Sequence, residues 1–138
     1  MHSISSPKLM QKKINYKNVL IDIYDFLEKK INQCEKNNID RSRIIIDPGI
    51  GFGKNLKQNL NLIKNISFFH SLGVSILLGA SRKTFISKIS KNALENERLG
   101  GSISSVIFAL NQGVQVFRVH DVRETKQAVD VYNKIKRA

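Results

Sequence analysis

The 138 residues, 41% hydrophobic and 25% charged, are enough for one globular domain with a core of its own. No apolar run approaches a membrane span, and the stretch from Met1 to Pro7 holds no apolar signal core. Cys34, the only cysteine, can form no internal disulfide, so a cytoplasmic setting is expected.

The net charge of +12 invites a nucleic-acid reading, but the basic residues are scattered over every predicted helix among many Asn and Ile. No aromatic-interleaved basic strand or helix-turn-helix spacing appears. The charge reads as solvated faces, with some attraction for a phosphorylated substrate, and neither a nucleic acid nor a membrane is an expected partner. A basic nucleic-acid-binding module is the remotest alternative.

Residues 1–15 carry no periodic pattern. From Tyr16 to about Asn37 the spacing of Val19, Ile23, Phe26, Leu27, Ile31 and Cys34 predicts a helix with one apolar stripe. Cys34 sits on that stripe as a small core residue. A β-branched strand is predicted over 43–47. Leu56, Asn59, Leu60, Ile63, Ile66 and Phe69 or His70 mark a second helix, stopped by Gly73. Val74 to Leu78 is the second predicted strand, followed by a short helix from Thr84 to Ser90 and a polar loop over 91–96. A helix containing Arg98, Ile103, Val106, Ile107 and Leu110 leads to Gly113. The third strand runs from Val114 to Val119, and a last helix from Arg123 to Lys136 turns Ala128, Val129, Tyr132 and Ile135 inward.

Strands that alternate with helices and are apolar throughout predict right-handed crossovers and a parallel sheet buried on both faces. The strand starts lie about 30 and 40 residues apart, the repeat of a β/α barrel or a doubly wound sheet. No domain boundary, linker or internal repeat interrupts the chain.

In such folds the ligand site lies at the carboxyl ends of the strands. Here those ends carry Asp47, then Ser81-Arg82-Lys83, then Arg118 and His120. A carboxylate can accept two N–H bonds from an amidine-like ring, as it does from a guanidinium. Arg118 and His120, two apart on an extended segment, leave the same face and can hold a phosphate or pyrophosphate. Each group also has a plainer reading. Asp47 before Pro48 can be a turn residue, Arg118 an interior ion pair, His120 a satisfied polar group, and Arg82-Lys83 a solvated pair opening a helix. Their joint occurrence at three successive strand ends favours a site.

The glycines at 49, 51 and 53 do not form a nucleotide motif. A P-loop needs glycine where Pro48 stands and Ser or Thr where Asn55 stands, and G-x-G-x-x-G is not matched. His2, His70, His120 and Cys34 show no metal-ligand spacing.

Four stretches now carry a resemblance: Met1-His2 with Pro7 and Met10-Gln11, Asp47-Pro48-Gly49-Ile50-Gly51-Phe52-Gly53-Lys54, Gly79-Ala80-Ser81-Arg82-Lys83-Thr84, and Arg118-Val119-His120-Asp121-Val122. Glu97-Arg98-Leu99, Gly101-Ser102 and Glu124-Thr125 also fit. In this order the set resembles dihydropteroate synthase, the pterin-binding family of folate biosynthesis. The resemblance implies a TIM-type (β/α) barrel whose enzyme, a transferase, joins 4-aminobenzoate to 6-hydroxymethyl-7,8-dihydropterin pyrophosphate, giving 7,8-dihydropteroate and pyrophosphate. By the same resemblance, Asp47 binds the amino and ring N–H edge of the pterin. Lys83 contacts the pterin and helps form the aminobenzoate pocket with Phe52 and Thr84. Arg82 flanks the aminobenzoate side, Arg118 and His120 bind the leaving pyrophosphate, and no residue is a covalent or acid/base catalyst. Mg²⁺ is expected on the pyrophosphate. Ile50, Thr84 and Ser5 stand where the family usually has Phe, Ser and Gly.

A whole barrel takes about 250 residues. This chain resembles only the last three strands, the C-terminal portion of the barrel, with Met1 at the position of the fifth strand's end. The segments carrying the Mg²⁺-holding Asn, a second pterin-binding Asp and a further Asn have no counterpart here. The expectation is a partial barrel with two open sheet edges, weak in pterin binding and inactive without its N-terminal half. A separately encoded half is one expected partner and a second copy of the chain another. The alternative to an enzyme fragment is a non-catalytic remnant or a self-associating half-barrel.

Overall fold

The computed structural model describes residues 1–3 and 16–138. Ser5, Pro7, Met10 and Gln11 lie outside the described residues. Asn18 opens helix α1 (Val19–Lys36), its side chain accepting from the amides of Leu20 and Ile21. The stripe buries Val19, Ile23, Leu27 and Ile31, and Cys34 is half-buried at its end. After a 3₁₀ turn at Arg41–Arg43 come β1 (Ile45–Ile46), α2 (Leu56–Lys64), a 3₁₀ segment (Ile66–Leu72), β2 (Ser75–Leu78) and α3 (Thr84–Ile89). A 3₁₀ turn at Glu95–Glu97, α4 (Leu99–Asn111), β3 (Val116–Phe117) and α5 (Val122–Arg137) complete the order. Among the described residues no helix is long and apolar enough to cross a membrane.

The strands form one parallel sheet in the order β1-β2-β3. Ile45 lies opposite Ser75, Ile46 opposite Ile76, Leu77 opposite Val116 and Leu78 opposite Phe117. Alternation therefore sends Ile46, Ile76 and Leu78 to one face, where the helices bury them completely. The other face carries Ile45, Ser75, Leu77 and Val116, and Ile45 is 52% exposed. This corrects the expectation of strands buried on both faces. An apolar run reports what the closed barrel would bury, whereas three strands bury only the helix-facing side. The strands are also shorter than predicted, because β1 and β3 are edges with ladder partners on one side. His2 extends the β1 edge: its amide donates to the Asp47 carbonyl at 2.9 Å.

Two helix readings change. The second predicted helix breaks at Asn65, whose side-chain amide donates to the Asn61 carbonyl at 3.0 Å and competes with the helical ladder. The chain continues as 3₁₀ to Gly73, which closes it at φ +68°. The inward face of α2 is Asn59, Leu62 and Ile63, while Leu60 is exposed. On α5 the buried residue is Thr125. Ala128, Val129 and Tyr132 are half-buried, and Ile135 is 71% exposed because that end of the helix runs past the core.

Gly49 cannot be replaced cheaply. It sits at φ +74°, and a Cβ there would stand 2.0 Å from the His2 carbonyl oxygen. Gly49→Ala is expected to cost roughly 2 kcal/mol or more in urea melts. Gly100→Ala, in α4 with open space around it, is expected to be neutral or stabilising in the same measurement.

Candidate functional site

The loop after β1 is held from within. The Asp47 carboxylate accepts the Gly49 amide at 2.7 Å, and the Gly49 carbonyl accepts the Phe52 amide at 3.1 Å. Lys54, only 8% exposed, points inward and donates to the carbonyls of Gly49 at 2.8 Å and Phe52 at 2.9 Å, with His2 Nδ1 at 3.2 Å. Asn59 reaches up from α2, accepting the Gly51 amide at 2.7 Å and donating to the carbonyls of Lys54 and Asn55. The glycines let the backbone pack against these groups and against Lys83, whose Cδ would lie 3.1 Å from a Cβ at Gly51.

Lys83 caps the loop from the other side. Its ammonium donates to the Ile50 carbonyl and stands 4.4 Å from the centroid of the Phe52 ring. Burial pushes its pKa down from 10.5 to about 8; the Asp47 carboxylate opposes the shift and Arg118 adds to it. Burial also lowers Lys54 to about 8, with Asp47 opposing and Lys83 reinforcing. The three strand ends are thus within each other's field.

Between β2 and β3 the register continues past the strands through side chains. Arg118 donates its amide to the Leu78 carbonyl at 3.0 Å. The next couples are Ser81 with His120 and Arg82 with Asp121, both 39 residues apart like Leu78 and Phe117. A cleft of about 90 Å³ opens here, lined by Gly79, Ser81, Lys83, Arg118, Val119 and His120. A Cβ at Gly79 would stand in ordinary contact, 3.9 Å from both Arg118 Cβ and Lys83 Nζ.

Of the sequence-predicted residues, Lys83, Arg118 and His120 meet in this cleft, Phe52 lies against Lys83, and Asp47 acts on Lys83 electrostatically. Thr84 lines a separate groove of about 160 Å³ with Gly51, Gly53, Asn55 and Lys88. Arg82, at φ +57°, is bidentate to Asp121, with Nε–Oδ2 at 3.0 Å. That pair raises Arg82 and holds the Asp121 carboxyl below its usual range. The Arg82 backbone is pinned as well, its amide by Ser102 Oγ at 2.9 Å and its carbonyl by Arg98 Nη1 at 2.8 Å.

Lys54, Asn59, Ser81 and Asp121 all stand in the sequence patterns above, but without a role of their own. Asn59 had a signal, a polar residue on an apolar stripe. Lys54 had none, because a lysine in a glycine loop reads as solvated.

The family model for pterin binding enzymes matches residues 1–120. This chain belongs to the pterin-binding enzyme family. It is 37% identical over 131 residues to the dihydropteroate synthase of Escherichia coli K12, which takes in 95% of this chain and 46% of that protein. It is 36% identical to the bifunctional dihydropteroate synthase/dihydropteroate reductase of Helicobacter pylori, over 98% of this chain and 35% of that one. The Yersinia pestis dihydropteroate synthase, solved as a sulfonamide drug complex, superposes with a TM-score of 0.94 at 34% identity, covering 99% of this chain and 49% of that chain. The Thermus thermophilus enzyme in complex with 6HMPPP gives a TM-score of 0.93 at 32% identity, covering 99% and 54%. The chain spans about half the length of the relatives it matches. Its open sheet is that of a partial TIM-type barrel of this pterin-binding family.

Proposed function

We propose that residues 1–138 are the C-terminal portion of a dihydropteroate synthase barrel and supply one side of its substrate site. The Yersinia, Thermus and Xanthomonas albilineans structures are described as complexes with a sulfonamide drug, 6HMPPP, 4-aminobenzoate and 7,8-dihydropteroate. The observation that carries the reading for this chain is Lys83. It contacts the Asp47–Lys54 loop, feels the Asp47 carboxylate, and shares a cleft with Arg118 and His120.

Asp47 accepts the N–H edge of the pterin, and Lys83 meets the ring's oxygen or nitrogen edge. Arg118 and His120 take up the charge that grows on pyrophosphate as the pterin–CH₂–O bond ionises. Phe52 and Lys83 bound the space from which the aminobenzoate amine attacks, with Thr84 on the separate groove beside Gly51, so the chain contributes positioning and charge stabilisation. Arg82 flanks that space while braced by Asp121. Mg²⁺ would supply further charge neutralisation on the pyrophosphate. Among the described residues no three His, Cys, Asp or Glu side chains gather to hold it.

The bare sheet face around Ile45 supports a requirement for completing strands, from a separately encoded N-terminal half or from a second copy of the chain. In a turnover assay the purified chain is expected to make no measurable dihydropteroate until the N-terminal half is added. An ordinary enzymatic rate from the chain alone would contradict this. A self-associating half-barrel without catalysis is the reading to prefer if gel filtration gives a tight dimer blind to pterin. The lone cysteine supports a cytoplasmic setting.

A further inference from the structure

Ser81 is 5% exposed and stands between β2 and the residue that would bind pyrophosphate. Its Oγ accepts the backbone amide of His120 at 3.2 Å and lies 3.0 Å from His120 Nδ1. The amide is a donor, so it cannot take the hydroxyl proton. A buried hydroxyl places its proton on an acceptor, and among the described residues Nδ1 is the acceptor in hydrogen-bonding reach. A hydroxyl that donates to Nδ1 makes that nitrogen the bare one of the ring. The ring's proton is then on Nε2, the nitrogen left for the cleft that His120 shares with Lys83 and Arg118.

We propose that Ser81 is a positioning residue that fixes His120 as an Nε2–H donor toward an anion in the Lys83–Arg118–His120 cleft. The proposal rests on reading that cleft as the pyrophosphate site. It removes the need for a charged imidazole, since the neutral ring already presents a hydrogen to the oxyanion. Ser81 lines the same cleft, and its Oγ is the group that lies against the ring. The neighbouring Arg82–Asp121 pair, in the same register, holds the β3 end at the distance this bond requires.

The test uses the full chain labelled with ¹⁵N-histidine, in two-bond ¹H–¹⁵N spectra taken above the imidazole titration, with His120 assigned from His120→Gln. In the wild type, Nδ1 is expected to resonate as a pyridine-type nitrogen and Nε2 as a pyrrole-type one. Ser81→Ala is expected to release the ring into a tautomer mixture and weaken inorganic pyrophosphate by roughly 3- to 10-fold. Ser81→Thr, which keeps the hydroxyl, should restore both readings. A pyrrole-type Nδ1 in the wild type, or an unchanged tautomer in Ser81→Ala, overturns the proposal. Should the alanine variant not fold, the wild-type and threonine spectra still decide it. The predicted tautomer with no response of His120 to pyrophosphate would instead sink the anion-site reading, and this role for Ser81 with it.

Discussion

Asp47→Asn is expected to weaken dihydropterin pyrophosphate by roughly 100-fold in calorimetric titration, with the fold retained. The carboxylate has one oxygen engaged by the Gly49 amide and keeps its other acceptor capacity for the ligand. An amide at this position places an NH₂ against the pterin's own N–H donors and cancels the charge that assists the bond. Losing charge-assisted bonds of this kind costs on the order of 3 kcal/mol, which is about two decades in affinity. A change of less than about threefold would remove Asp47 from the site.

The second large effect is on stability against pH. Lys54 and Lys83 both fall from 10.5 to about 8 in the folded chain, chiefly by burial. Below about pH 8 both are charged in the folded and unfolded states, and the full cost of burying charge is present. Between about pH 8 and 10.5 the unfolded chain holds protons that the folded chain has released, so stability rises with pH. The gain expected from Lys54 is on the order of 2 to 3 kcal/mol, with less from the half-buried Lys83. Tyr16, raised to about 12 by burial and by Asp22, acts in the opposite sense above pH 10, where the unfolded tyrosine ionises first. Urea melts should therefore show stability climbing from neutral pH to a maximum near pH 10. Lys54→Met should flatten that climb. A wild type whose stability falls steadily from pH 7 to 10 would show that the two ammonium groups are not buried as described.

The features legible in the sequence were those governed by local patterning. The apolar stripe of α1, the alternation of strand and helix and the stop at Gly73 all follow from spacing and turn chemistry. The convergence of Lys83, Arg118 and His120 followed from one topological rule, that parallel strands end on one side. What depended on the third dimension was not legible. Periodicity could not tell that Ile45 would lack a covering layer or that Ile135 would overrun the core. Nor could a lysine among glycines announce that it turns inward to satisfy carbonyls, as Lys54 does. The Arg82–Asp121 pair joins residues 39 apart, and only the register of β2 against β3 brings them together.

The central claim is that the acid after β1 and the cations after β2 and β3 serve one molecule. Titrating pterin, inorganic pyrophosphate and their joined form into the wild type, Asp47→Asn and Arg118→Ala tests it most directly. Pterin alone is expected to respond only to Asp47→Asn, pyrophosphate alone only to Arg118→Ala, and the joined ligand to both. A joined ligand indifferent to either substitution would contradict the claim.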